Sequence, residues 1–155
     1  MGVNERSKIK MTEEEIDSFL HERNSISLAS LNHDGTIHVV AMWYGFVEGM
    51  VAFETKAKSQ KVQNLRRDPR ITCMVETGDK YEELKGVELV GTAEVIEDGD
   101  RLWQIGVSVF ERYQGPYSDE MKPFVEAMLR KRVGIAVHVY RVVSWDHAKL
   151  NMGSA

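Results

Sequence analysis

The 155-residue sequence predicts a mainly β fold with inserted helices (α+β), in which about six mostly antiparallel strands curl into a small barrel. Three observations carry that expectation. Several short segments alternate apolar and polar residues, the pattern of half-buried strands. Turn-forming pairs, Asp34-Gly35 and Glu48-Gly49, separate the early strands as hairpins, and hairpins run antiparallel. Two apolar stripes of helical period interrupt the strands late in the chain.

Taken in order, Thr12 opens "TEEEIDSFL" as a capping box with Glu15, and Ile16, Phe19 and Leu20 fall on one helical face. "SISLASLNHDGTIHVVAMWYGFVEGMVAFET" is expected to form three strands. Ser59 to Arg67 is a short helix, stopped by Asp68-Pro69. "RITCMVE" is a strand ending near Gly78-Asp79, and "VELVGTAEVIE" is another. Leu102, Ile105, Val109, Phe110 and Tyr113 line one helix. Met121, Phe124, Val125, Met128 and Leu129 line the next, with Pro123 in its first turn. "VGIAVHVYRVVSWD" closes the fold as a strand.

The length suits one domain over residues 1–155, with 1–11 expected as a flexible N-terminal segment. One cysteine precludes an internal disulfide and fits a reducing compartment. "MGVNERSKIK" lacks the apolar core of a secretory signal, and no apolar run reaches the 18 or so residues that a transmembrane helix needs. The expected location is cytoplasmic. A net charge of -4 and a pI near 5.8 argue against nucleic acid as a partner.

Against that acidic whole, "FETKAKSQKVQNLRRDPR" (53–70) carries Lys56, Lys58, Lys61, Arg66, Arg67 and Arg70. On one reading this is a surface helix, with Val62 and Leu65 as its anchor and Arg66 and Arg67 offsetting the helix dipole. On the other, Ser59 caps a helix start whose free N–H groups meet Lys56, Lys61 and the Thr55 hydroxyl in a phosphate cradle. The pattern leaves both open.

Other constellations are thin. The five histidines show no metal-ligand spacing, and no Gly-rich dinucleotide or P-loop fingerprint is present. Cys73 sits mid-strand as a small hydrophobe. Glu82 and Glu83 in "DKYEEL" are expected in a solvated loop. Trp43 and Tyr44 should face opposite sides of a strand, one in the core and one free to meet a ligand. The missing acid–base set is consistent with a redox cofactor that brings its own chemistry.

"GTIHVVAMWY", "FETKAKSQKVQNLRRDPRIT", "VELVGTAEV" and "SWDHAKL" together resemble the split-barrel flavin- and deazaflavin-binding proteins of the pyridoxamine 5′-phosphate oxidase superfamily, and most nearly its probable coenzyme F420-dependent reductases. The resemblance spans about residues 12–150. It implies a split β-barrel of the FMN/F420-binding type, assembled as a homodimer with the cofactor between subunits. It implies phosphate contacts from Thr55, Lys56, Ser59, Lys61 and Asn64, ring contacts from Val40, Ala41, Met42 and Trp43, and Trp145 reaching the groove across the dimer. The function it implies is hydride transfer from reduced F420 to a small unsaturated or conjugated acceptor, with Tyr44 a candidate proton source. The alternatives are an FMN-dependent oxidoreductase and a non-catalytic carrier of cofactor or lipid. The Arg-x-His pair that ends pyridoxamine phosphate oxidases is missing. Haem-degrading relatives use a histidine in a C-terminal segment; His147 is present in that part of this chain, but at an unmatched position.

Overall fold

The computed structural model describes residues 5–150. Its strands are β1 (Ile26–Leu31), β2 (Ile37–Met42), β3 (Gly45–Val47), β4 (Met50–Lys56), β5 (Arg70–Thr77), β6 (Lys85–Ile96) and β7 (Arg132–Asp146). They form one seven-stranded sheet in the order β2-β1-β5-β6-β7-β4-β3, antiparallel throughout. The two outermost strands, β2 and β3, are consecutive in sequence. The chain between Met42 and Gly45 can span at most about 11 Å, whereas a flat sheet would hold those strands about 28 Å apart. The sheet therefore curls until its edges meet. No ladder joins β2 to β3, so the barrel is split along that seam.

Residues 25–56 form four strands where three were expected. The reason is Trp43-Tyr44, which breaks the long middle strand. Tyr44 turns fully inward, and the three-residue β3 follows.

The barrel interior is apolar. Leu28, Phe53, Ile71, Cys73, Val75, Val87 and Ile135 fill it from alternate positions of β1, β4, β5, β6 and β7. Burial pushes the Cys73 thiol up to about 12, in keeping with a packing role. Helix α2 (Glu13–Glu22) closes one side with Phe19 and Leu20, and its Thr12–Glu15 capping box is formed. Helix α4 (Gly99–Tyr113) packs Ile105 and Val109 against Val47, Ala52 and Ala136 on the outside of the barrel. Gly106 lets the Leu129 side chain of α5 (Lys122–Leu129) approach, since a Cβ there would stand 2.7 Å from it.

The N-terminal segment departs from expectation. Over the described residues 5–11 it is anchored. Glu5–Lys8 form a short helix, α1, the Ile9 carbonyl accepts from the Asp146 amide, and Met11 is buried with its amide donating to Ser144 Oγ. Residues 1–4 lie outside the described residues.

Strand β7 is long enough to pair with two neighbours. Its first residues, to Ala136, pair with β4, while residues 134–146 run along β6. The β6 register shifts between Val90 and Gly91, so Tyr140 is an extra, unpaired residue. Gly91 is obligatory there, because a Cβ would lie 2.1 Å from the His138 carbonyl oxygen. None of the described helices is long and apolar enough to cross a membrane.

Candidate functional site

Helix α3 (Gln60–Arg67) starts where β4 ends, and its apolar face of Val62 and Leu65 is buried against the barrel. Ser59 occupies the N-cap position but makes no capping hydrogen bond. Its Oγ is buried and has no partner. A buried hydroxyl left unpaired costs about 1–3 kcal/mol, so this group is poised for an outside partner. Thr55 is buried just before it on β4, and Lys56 is exposed at the strand's last position. Lys61, in the first turn of α3, is half-buried. Burial and the neighbouring Arg132 guanidinium both lower its pKa, so an anion beside it would be stabilised.

Arg132 is brought there by register. Lys56 pairs with Arg132 across β4 and β7, and Arg132 also binds Glu54 at 3.0 Å. The preceding residues, Arg130 and Lys131, line a cavity of about 770 Å³ together with Lys56, Ala57, Lys58, Ala127, Met128 and Arg132. Arg130–Arg132 were not among the expected site residues. Their charge is visible as "RKR", but only the β4–β7 pairing sets it beside Lys56.

Other parts of the expected site are corrected. Asn64 is fully buried and fully used. Its amide group donates to Ser30 Oγ at 3.1 Å and Asn32 Oδ1 at 3.0 Å, and its oxygen accepts from Gln60 at 2.8 Å. It ties α3 to β1 and has nothing left for a phosphate. Arg66 pairs with Glu97, Arg70 with Asp68, and Arg67 donates to the Leu31 carbonyl, so these three cations are answered within the protein.

Strand β2 is a sheet edge, and alternation divides its residues. Val40 and Met42 pack toward the core, while Ala41 and Trp43 face outward with Ile37 and Val39. Trp43 is 56% exposed and lies stacked on Tyr113 at 4.2 Å. Tyr44 is the core member of the pair, as the opposite-face expectation required. Its hydroxyl donates to the carbonyls of Leu20 and Arg23, and burial pushes its pKa up to about 12. Buried and committed to carbonyls, Tyr44 is not a proton source for a substrate.

Trp145 is half-buried near the far end of β7 from Arg132, its ring lying over Gly86, where a Cβ would stand 2.3 Å away. His147 is engaged locally, its Nδ1 donating to the Tyr81 carbonyl at 2.7 Å. The β-barrel also exposes Ile37 (68%), Val39 (62%), Val139 (40%), Tyr140 (69%) and Val142 (44%). An apolar surface of this extent on strands is typical of an interaction face.

A family profile described as Pyridoxamine 5′-phosphate oxidase matches residues 12–146. Among solved structures, a conserved hypothetical protein of Mycobacterium tuberculosis is 47% identical, with a TM-score of 0.93 over 97% of this chain and 94% of that one. An F420 reductase is 25% identical, with a TM-score of 0.63 over 81% of this chain and 94% of its own. A heme storage protein of Vibrio cholerae is 18% identical, with a TM-score of 0.68 over 87% of this chain and 96% of its own, a likeness of fold alone. No curated protein matches the chain.

Proposed function

The chain belongs to the pyridoxamine 5′-phosphate oxidase family, and on that premise we propose that it is an oxidoreductase that binds reduced coenzyme F420 and reduces a small unsaturated or conjugated acceptor. One observation carries the reading. The unpartnered Ser59 Oγ, at the N-cap, and the Lys61 ammonium, destabilised by burial and by Arg132 in the first turn, both belong to the start of α3. Free main-chain N–H groups also point out of that turn, which makes the arrangement suited to a phosphate. The 25% identity to an F420 reductase supports the choice of deazaflavin.

A reduced deazaflavin held there would supply the hydride chemistry, toward an electron-poor carbon of the acceptor. The chain's own tasks are to bind and orient. Lys56, Ser59 and Lys61 hold the phosphate, with the Thr55 hydroxyl behind them. The outward edge of β2, at Ala41 and Trp43, gives the ring a flat apolar neighbour, and Val40 and Met42 stiffen that edge from the core side. Trp43 is held in place by Tyr113, whose hydroxyl donates to the Asn24 carbonyl at 2.6 Å. Tyr44 supplies no proton, so the one needed at the reduced acceptor comes from water. A second copy of the chain covers the exposed faces of β2 and β7 and brings its Trp145 to the groove, which its place on β7 denies it within one chain.

Titration of the purified protein with F420 and with FMN, followed by turnover of reduced F420 with enones and quinones, tests the reading. We expect F420 to bind more tightly, at least one acceptor to be reduced, and sedimentation at twice the 17.7 kDa chain mass. Tighter binding of FMN overturns the deazaflavin assignment. Tight F420 binding without turnover on any acceptor makes the protein a carrier.

A further inference from the structure

We infer that the exposed flank of α5 and the basic cavity beside it form a docking face for an anionic lipid bilayer, held by headgroup contacts to Lys58, Arg130 and Lys131 and by insertion of Phe124 and Met128. The inference stands apart from the cofactor reading, because none of these residues belongs to the phosphate cradle at the start of α3.

The charge of this face is one-sided. Lys56, Lys58, Arg130, Lys131 and Arg132 line the cavity of about 770 Å³, and no acidic residue does. The nearby Glu54 is taken by Arg132 at 3.0 Å. Lys58, Arg130 and Lys131 are exposed, and among the described residues their side chains have no hydrogen-bond or ion-pair partner. Elsewhere the protein answers its arginines: Arg66, Arg70 and Arg101 each lie 2.6 Å from a carboxylate. The chain as a whole carries a net charge of -4. An anionic membrane therefore repels most of the molecule and attracts this face, which fixes the orientation of approach.

Apolar side chains border those cations. On α5, Val125 is buried and Leu129 meets Gly106, so these two face α4. Phe124, Ala127 and Met128 fall on another flank, three and four residues apart. Ala127 and Met128 belong to the lining of the basic cavity. Phe124, one turn earlier, is 52% exposed, with its ring edge-on to Phe110 at 5.7 Å. The helix's own acid, Glu126, lies on the opposite flank, where Lys122 is 3.9 Å away. The turn into β7 keeps the two halves of the face together. Lys131 adopts φ +61°, a conformation that side-chain-bearing residues rarely take, and its carbonyl accepts from the Ala57 amide, next to Lys58, at 3.0 Å. Firm interfacial binding takes two signals, inserted apolar groups and a polybasic patch, and this face has both. The other large apolar face, at Ile37, Val39 and Tyr140, differs. Arg70 at its edge is already answered by Asp68, so it suits a second protein surface rather than a polyanion.

The test is co-sedimentation of the full chain with vesicles of phosphatidylcholine, with and without about 30 mol% phosphatidylglycerol. We expect binding to the anionic vesicles alone, weakening as salt is added. A Lys58→Gln/Arg130→Gln variant, changed at two exposed positions, should lose about fivefold in affinity per cation, about 25-fold together. Phe124→Ser should lose about fivefold, the worth of burying the exposed half of its ring, and should lose it equally at low and high salt. Phe124 also packs on Phe110, so the double variant decides the matter if the serine variant does not fold. No binding to anionic vesicles, equal binding to neutral ones, or a double variant that binds like the parent overturns the inference. Release from the vesicles by free glycerol phosphate marks a pocket for one soluble headgroup and overturns it too. Sedimentation without lipid covers the remaining occupant: a smaller sedimenting mass for the double variant assigns the face to contact between copies of the chain, with the same consequence.

Discussion

Arg112 and Lys61 are both half-buried cations on helices of the same small protein, and the protein treats them oppositely. Arg112, on α4, donates to the carbonyls of Tyr44 at 2.8 Å, His21 at 3.1 Å and Arg23 at 2.5 Å, and lies 4.4 Å over the Tyr44 ring. Every nitrogen of its guanidinium donates, holding the end of α2 against the turn after β2. Lys61 has no such partners, and its surroundings disfavour its charge. A cation satisfied by main-chain carbonyls is a strut. A cation held among other cations, beside an unpaired hydroxyl, is waiting for an anion. Charge alone does not distinguish the two; the list of partners does.

The largest test of this contrast is Arg112→Met, which keeps the apolar stem and removes the donors. Loss of several charge-assisted hydrogen bonds should lower unfolding free energy by about 3 kcal/mol in urea denaturation. Affinity of the remaining folded protein for F420 should stay within twofold, and a loss of stability under about 1 kcal/mol would break the comparison.

Lys61→Ala should do the reverse. F420 binding should weaken by about 1.5–3 kcal/mol, the scale of a hydrogen bond to a charged group. The urea midpoint should hold or rise, because the repulsion from Arg132 is relieved. Arg66→Ala, with its charge already answered by Glu97, should leave affinity unchanged. The pH dependence has a definite sign. Lys61 binds phosphate only when protonated, and its folded pKa lies below that of an ordinary lysine. Affinity should therefore decline on the alkaline side earlier than a free lysine would titrate, and the Ala variant should lack that step.

The smallest effect is expected at Tyr44. Tyr44→Phe removes a hydroxyl whose acceptors, the Leu20 and Arg23 carbonyls, also receive Arg112. Stability should fall by about 1 kcal/mol and turnover should persist. A collapse of turnover with folding intact would restore Tyr44 as a proton source and sharpen the contrast against the present reading.

Much of this was legible in the sequence because it is local. The Thr12–Glu15 capping box, the hairpin at Asp34-Gly35, the alternation of "VELVGTAEVIE" and the opposite facing of Trp43 and Tyr44 depend on residues a few positions apart. The helix start at Ser59 was legible for the same reason. What the sequence hid depends on distant pairings. Asn64 suits a phosphate as well as a core, and only Ser30 and Asn32, on and just after β1, decide it for the core. Arg112 is one charge on an amphipathic helix until α2 and Tyr44 arrive. "RKR" at 130–132 is an ordinary basic cluster until β4 and β7 pair Lys56 with Arg132. The seventh strand was missed because three residues carry too little alternation to read.

The bulge at Tyr140 has a consequence for solubility. Beyond Ala136 no described strand pairs with β7 on its β4 side until the Asp146 amide meets the Ile9 carbonyl, so the stretch between is a strand edge without a ladder partner within the chain. An unbroken ladder of that kind would seed fibrous aggregates. The extra residue spoils the regular spacing that a foreign strand needs, and Arg141 puts charge on the same stretch. Gly91, by making room for the bulge, thus acts as a safeguard against runaway assembly. Its replacement by alanine would be felt first as inclusion bodies on expression, before any change in chemistry could be measured.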